Sequence, residues 1–110
     1  MRVCIIGDGL SSITLAKALT NENIYVDIFS PKKKNSINKS RTIGISKSNV
    51  EFFNTNIVNI DKIIWKLKNI ELYSENLKNE KILKFKSKKD QLFSIIRNYQ
   101  LYEILEKKLL

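Results

Sequence analysis

The sequence predicts an α/β fold that opens with a strand–helix–strand unit and continues with a β-hairpin and a C-terminal helix. Two short apolar runs, residues 2–6 and 24–29, have the length of strands. Between them, residues 10–20 carry apolar side chains at the three- and four-residue spacing of a helix. A glycine turn, residues 7–9, joins the first run to this helix. Strands linked in this way pair in parallel through a right-handed crossover.

Local sequence features support each element of this strand–helix–strand unit. Residues 2–6 form a continuous apolar run bounded by glycine, which predicts a strand covered on both faces, with Cys4 as a small buried residue. The helix ends at the polar residues 21–23. Pro31 stops the second strand because proline cannot donate to a ladder. We therefore expect the βαβ unit to span residues 1–30.

The middle of the chain predicts a second helix. It follows residues 41–45, and either Ser46 or Ser48 caps it. Residues 60–67 fit a short helix or a turn, and we expect Trp65 within them to pack in the core.

The last third predicts a hairpin and a helix. Two apolar runs, residues 70–73 and 82–85, flank a polar segment and indicate a hairpin over about residues 69–86. Leucine and isoleucine at helical spacing then predict an amphipathic helix over residues 98–110, which has no stop signal before the end of the sequence.

Composition excludes several kinds of site. The chain has 110 residues, 20 Lys and Arg against 11 Asp and Glu, a net charge of +9, no His and one Cys. Without His there is no Ser-His-Asp or Cys-His mechanism and no His-ligated metal. A single Cys excludes an intrachain disulfide and a Cys-cluster metal site, which predicts a reducing compartment. With 43% hydrophobic residues the chain has enough apolar side chains for the core of one domain.

Neither a membrane segment nor a nucleic-acid site follows from the composition. No apolar stretch approaches the roughly 20 residues that cross a bilayer, and the first run is too short for a signal peptide. We expect a soluble, cytoplasmic chain that reaches a membrane only peripherally or through partners. Ile, Lys and Asn make up 46 of the residues and are spread over the whole length, so the positive charge alone does not indicate a nucleic-acid partner.

The glycine turn is the motif that carries chemistry. It reads Gly7-Asp8-Gly9-Leu10-Ser11-Ser12. This resembles the G-x-G-x-x-G pattern of Rossmann-type dinucleotide-binding folds, placed as that pattern requires, after a strand and at the start of a helix. Gly7 would supply the tight turn, Gly9 would let the backbone approach a pyrophosphate, and Ser12 stands at the third, small position. Backbone N–H groups of Leu10 and Ser11, at the helix N-terminus, favour an anion there.

Two questions about this turn stay open. The first is whether Gly7 and Gly9 bind a dinucleotide or only form a strand-to-helix turn. The second is how the ribose is bound, since an acid at the end of the second strand usually holds it. Ser30 stands at that place, and Asp27 sits in mid-strand. Either Ser30 bonds the ribose hydroxyls, or the lysines at 32–34 receive a phosphorylated ribose.

Several further segments resemble the opening third of the flavin-dependent aromatic hydroxylases, the para-hydroxybenzoate hydroxylase-like family. With the glycine turn, these segments are Arg41-Thr42-Ile43-Gly44-Ile45-Ser46-Lys47-Ser48, Trp65, Ile70-Glu71-Leu72-Tyr73 and Asn98-Tyr99-Gln100-Leu101. Within that family the chain is most similar to the ubiquinone-biosynthesis hydroxylases. The resemblance implies FAD as the bound cofactor, NAD(P)H as the electron donor and hydroxylation of an aromatic ring.

The resemblance also implies two cofactor contacts beyond the turn. Arg41 precedes a stretch like the family's "ALS..S" and would contact FAD, since a guanidinium pairs well with phosphate. The alternative is an ordinary solvated arginine. Asn98 matches the start of an "Asn-x-x-Leu" helix and is either a flavin contact or a helix N-cap. Neither a catalytic residue nor a metal ligand is predicted.

Family members continue with flavin and substrate segments that these 110 residues do not include. We therefore expect the N-terminal part of an FAD-binding domain, inactive alone, whose partner is the remainder of the enzyme or a ubiquinone-biosynthesis complex. One alternative is a fragment of an NAD(P)-dependent oxidoreductase that shares only the βαβ unit. Another is a small basic protein that binds nucleic acid through lysines at 32–39 and 84–89, for which the aromatic residues, expected in the interior, offer no stacking platform.

Overall fold

The computed structural model describes residues 1–31, 38–73, 81–86 and 93–109. The elements in chain order are β1 (Arg2–Ile6), α1 (Leu10–Asn21), β2 (Tyr25–Phe29), β3 (Thr42–Ser46), α2 (Lys47–Asn56), β4 (Ile64–Leu67), β5 (Asn69–Tyr73), β6 (Lys81–Lys86), β7 (Phe93–Arg97) and α3 (Asn98–Leu109). The predicted α/β class, with a βαβ unit, a hairpin and a C-terminal helix, is confirmed.

The βαβ unit has the predicted parallel pairing, with β1 beside β2. The prediction that both faces of β1 are covered was wrong. Ile5 is 9% exposed but its neighbour Ile6 is 86% exposed. Cys4 is exposed as well, so its assignment as a buried residue was also wrong. Among the described residues this sheet has two strands, with α1 against them, and alternate side chains of a strand point away from the covered face.

A second sheet has the strand order β3-β7-β4, with both pairings antiparallel. Residues 61–63 form a turn and β4 follows, so the segment over residues 60–67 is a turn and a strand, with no helix. Trp65 is 68% exposed, and the prediction that it packs in the core was wrong. The reason is its position on β4, because it lies on the face that no described helix covers, whereas its neighbour Ile64 packs against the core.

The predicted hairpin is formed by β5 and β6, which pair antiparallel with a register irregularity at Leu72 and Tyr73. Lys84 lies 3.6 Å from Glu71 across this pair. The polar segment expected to join the two strands lies outside the described residues.

The hydrophobic core lies between the three helices and one face of the β3-β7-β4 sheet. Its buried members are Ile13, Val50, Ile57, Ile60, Ile96, Leu101 and Leu105. Burying one such side chain contributes about 1.5–3 kcal/mol, an upper value because the unfolded chain is itself partly compact. The radius of gyration is 17.5 Å, against about 13 Å for a compact domain of this length. The molecule is therefore elongated, with extents of 54 × 33 × 21 Å.

Of the two serines proposed as the N-cap of α2, Ser46 caps the helix and Ser48 does not. The Oγ atom of Ser46 accepts a hydrogen bond from the backbone N–H of Asn49 at 3.3 Å.

No helix among the described residues is long and apolar enough to cross a membrane.

Candidate functional site

The turn after β1 needs glycine at its first position. Gly7 has φ +115°, a backbone conformation that side chains with a Cβ rarely adopt. Its N–H donates to the carbonyl oxygen of Phe29 at 2.7 Å, which fixes the turn against the end of β2. A Cβ on Gly7 would also lie 3.3 Å from Ser12 Oγ, so the small residue at position 12 lies directly against the turn.

The second glycine leaves the start of α1 open. Gly9 is the N-cap residue, with φ −69° and ψ 175°, and no side chain within the described part of the chain caps this helix. The first intrahelical bond runs from the N–H of Ile13 to the carbonyl of Gly9 at 3.1 Å. The N–H groups of Leu10, Ser11 and Ser12 therefore lie at the free end of the helix, where the helix dipole is positive. A Cβ built on Gly9 meets nothing within 4 Å, so the space above it is open. This end of α1 is suited to an anion.

The end of β2 lies beside this turn. Ser30 follows Phe29 directly and is exposed, so its hydroxyl is at the same edge of the sheet as Gly7. Asp27 lies in mid-strand, where its carboxylate pairs with Arg2 at 2.6 Å. The only polar side chain that β2 and Ser30 offer at this edge is therefore a hydroxyl. The lysines at 32–34, the alternative ribose contact, lie outside the described residues.

Arg41 and Asn98 are brought together although they lie far apart in the sequence. The N–H of Asn98 donates to the carbonyl oxygen of Arg41 at 3.0 Å. Arg41 is exposed. The Oδ1 atom of Asn98 is buried and has no hydrogen-bond partner in the described structure. A buried acceptor without a donor is energetically unfavourable, so this atom is suited to accept a hydrogen bond from a bound molecule.

A groove of about 500 Å³ begins at the first turn of α1, where Leu10 and Ser11 contribute to its lining. Ile43 and Leu101 also line it, and the rest of its lining comes from residues of α1 and α2 and from Ile57. Neither Arg41 nor Asn98 is among its lining residues, so the groove contacts the start of α1 but not the arginine–asparagine pair.

Comparison with known proteins finds neither a matching family model nor a matching curated sequence. Solved structures do match. The 2,6-dihydroxypyridine-3-hydroxylase of Arthrobacter nicotinovorans superposes with a TM-score of 0.72 at 16% identity over 97% of this chain and 26% of its own. Klebsiella pneumoniae HpxO, solved with FAD and uric acid, gives a TM-score of 0.74 at 15% identity over 98% of this chain and 28% of its own.

A third structure, described as an FAD-containing monooxygenase from Photorhabdus luminescens subsp. laumondii, gives a TM-score of 0.73 at 22% identity. It is matched over 99% of this chain and 28% of its own. The chain therefore spans between a quarter and a third of the length of these structures. At these identities the comparison assigns the fold, and the 110 residues fold like one part of a flavin-dependent monooxygenase.

Proposed function

We propose that this chain is the FAD-binding N-terminal portion of a flavin-dependent monooxygenase that hydroxylates an aromatic ring. The observation that carries the proposal is the uncapped N-terminus of α1 behind Gly7 and Gly9, with open space above Gly9. The pyrophosphate of FAD is a dianion, and free N–H groups at a helix N-terminus are its usual partners.

The other predicted residues would complete the contacts to FAD. The exposed guanidinium of Arg41 would pair with phosphate or ribose oxygens. Asn98 Oδ1 would accept a hydrogen bond that it lacks in the protein alone. Ser30 would bond the ribose in place of an acid, which predicts weaker ribose binding than a carboxylate provides. When bound, FAD supplies the redox chemistry, and these residues hold and orient it.

The elements after the βαβ unit favour this proposal over an NAD(P)-dependent oxidoreductase fragment. A doubly wound domain of that class would continue with alternating parallel strands and helices. Here the chain continues with the antiparallel β3-β7-β4 sheet and the β5–β6 hairpin. The finer assignment to ubiquinone biosynthesis rests on the segments around Arg41 and Asn98 noted in the sequence.

We further propose that the chain binds FAD weakly alone and strongly once a partner completes the sheet. The uncovered face of the β1–β2 sheet exposes Ile6 by 86% and Phe29 by 60%. Exposed apolar side chains on a sheet with free edges are typical of a surface that another segment covers. The partner would be the remainder of the enzyme.

The test compares FAD bound by the chain alone with FAD bound after co-expression with the polypeptide encoded directly downstream. We expect the visible flavin absorption to copurify with the pair and to be weak with the chain alone. The variant Gly9→Ser fills the space for the pyrophosphate but suits an N-cap, so it should fold and lose FAD. Arg41→Gln should weaken FAD binding, whereas Lys68→Gln, a charge-matched change at an exposed position, should not. Unchanged FAD content in Gly9→Ser would contradict the proposal.

A further inference from the structure

A groove of about 450 Å³ lies beside the C-terminal halves of α1 and α3. Lys17, which lines it, is seven residues after Leu10, so the groove lies about 10 Å along α1 from the glycine turn. Its floor is aliphatic and consists of Ile57, Val58 and Ile104. Val58 and Ile104 pack against the core but are only half-buried. The floor is therefore a part of the hydrophobic core that a ligand can reach.

Three lysines surround this floor, and we call the site the lysine groove. Lys17 comes from α1, Lys62 from the turn before β4, and Lys108 from the last turn of α3. Within the described part of the chain none of the three forms an ion pair, and no described acidic residue lines the groove. Asp61, next to Lys62, accepts a hydrogen bond from Asn54 at 2.8 Å. The lysine groove is therefore positively charged.

Two polar side chains of the lysine groove are held by neighbours that do not neutralise them. The Nζ atom of Lys17 donates to Oδ1 of Asn21 at 2.7 Å, and an amide leaves the charge of the lysine intact. Oδ1 of Asn59 accepts a hydrogen bond from the N–H of Asp61 at 3.0 Å, so the NH₂ group of Asn59 remains as a donor. The dipole of α3 is negative at its last turn, which disfavours an anion there. Lys108 offsets that dipole, so an anion in this groove depends on the lysines.

We propose that the lysine groove binds an aliphatic carboxylate, with its chain on Val58 and Ile104 and its carboxylate between the lysines. The volume lies within the range of about 300–1,000 Å³ that is typical of small-molecule sites. Lysine pairs with a carboxylate as a point charge, while its stem covers apolar surface. No aromatic side chain of the described chain lines the groove, which favours an aliphatic ligand over an aromatic one. The lysine groove shares only Ile57 with the groove at the start of α1, so the inference does not depend on the proposed binding of FAD.

The experiment titrates the 110-residue protein with hexanoate and follows backbone amide shifts in nuclear magnetic resonance spectra. We expect saturable shifts at Val58, Asn59, Lys62 and Ile104. Two matched compounds separate the chain from the charge, since 1-hexanol has the chain without the carboxylate and acetate has the carboxylate without the chain. Each should bind more weakly than hexanoate by about tenfold or more, because 1-hexanol loses the charge-assisted pairs and acetate loses the buried methylenes.

Two double variants locate the carboxylate. Lys62→Gln with Lys108→Gln should weaken hexanoate binding by about tenfold, because it removes two of the three cations. Lys66→Gln with Lys107→Gln removes the same charge from exposed positions outside the lining and should leave the affinity within about twofold. Absence of saturable shifts at the groove residues would overturn the proposal, as would equal affinity for hexanoate and either matched compound, or equal effects of the two double variants. The comparison of compounds needs no variant, so the proposal stays testable if a double variant does not fold.

Discussion

The substitution Gly7→Ala tests whether the glycine turn is strained for any other residue. At φ +115° an alanine carries backbone strain of about 1–3 kcal/mol. The contact of its Cβ with Ser12 Oγ at 3.3 Å adds little, because a hydroxyl can rotate away. Alanine also lowers the conformational entropy of the unfolded chain, which raises the free energy of unfolding by about 0.4–1 kcal/mol. We expect a net loss of about 1–2 kcal/mol in the free energy of unfolding.

The assay is urea unfolding followed by circular dichroism, with a thermal scan in parallel. A loss of this size lowers the melting temperature by about 4–16 °C in a domain of this length. The matched control is Gly9→Ser, two residues along the same turn. Gly9 has the extended conformation of an N-cap, and a Cβ there meets no atom within 4 Å. The control should therefore be as stable as the wild type or more stable by a few tenths of a kcal/mol. A Gly7→Ala protein that unfolds at the wild-type urea concentration would refute the reasoning.

Three further predictions, one of them with a control substitution, test the structure elsewhere. Leu105→Ala should lower the free energy of unfolding by about 2–5 kcal/mol in urea titrations, because Leu105 is 0% exposed within the core; a loss below about 1 kcal/mol would contradict that packing. Ser46→Ala should lower it by about 1 kcal/mol through loss of the α2 cap, and Ser48→Ala, which removes no cap, should cost less. Asp27→Asn should change it by no more than about 1 kcal/mol, since the partner Arg2 is 69% exposed. This last effect should vanish in high salt, and an effect that persists there would contradict a solvent-screened ion pair.

The parts of the fold that sequence could predict are those set by local pattern. Residues 2–29 carry their strand, turn and helix signals within a few positions of each other, and Ser46 was one of two caps proposed for α2. The glycine turn could be predicted because its position between a strand and a helix identifies it, in addition to its amino-acid pattern.

The parts that sequence could not predict depend on distant pairing. Strand β7 lies between β3 and β4. The sequence of its short apolar run does not indicate which strands pair with it. The exposure of Trp65 follows from which face of that sheet the helices cover, which composition does not specify. Cys4 is exposed for a similar reason, because α1 covers only one face of its sheet. The contact between Arg41 and Asn98 also depends on this long-range arrangement, although the resemblance had named each residue separately.

The central claim is that the start of α1 binds the pyrophosphate of FAD. The most direct measurement is a titration of the 110-residue protein with adenosine diphosphate, which carries that half of FAD, followed by backbone amide shifts in nuclear magnetic resonance spectra. Such shifts report weak binding and locate it by residue. We predict saturable shifts of the amides from Gly7 to Ser12 in the wild type and none in Gly9→Ser, whose other amides should keep their wild-type positions. Saturable shifts only of amides outside Gly7 to Ser12, or the same shifts in the wild type and in Gly9→Ser, would contradict the account.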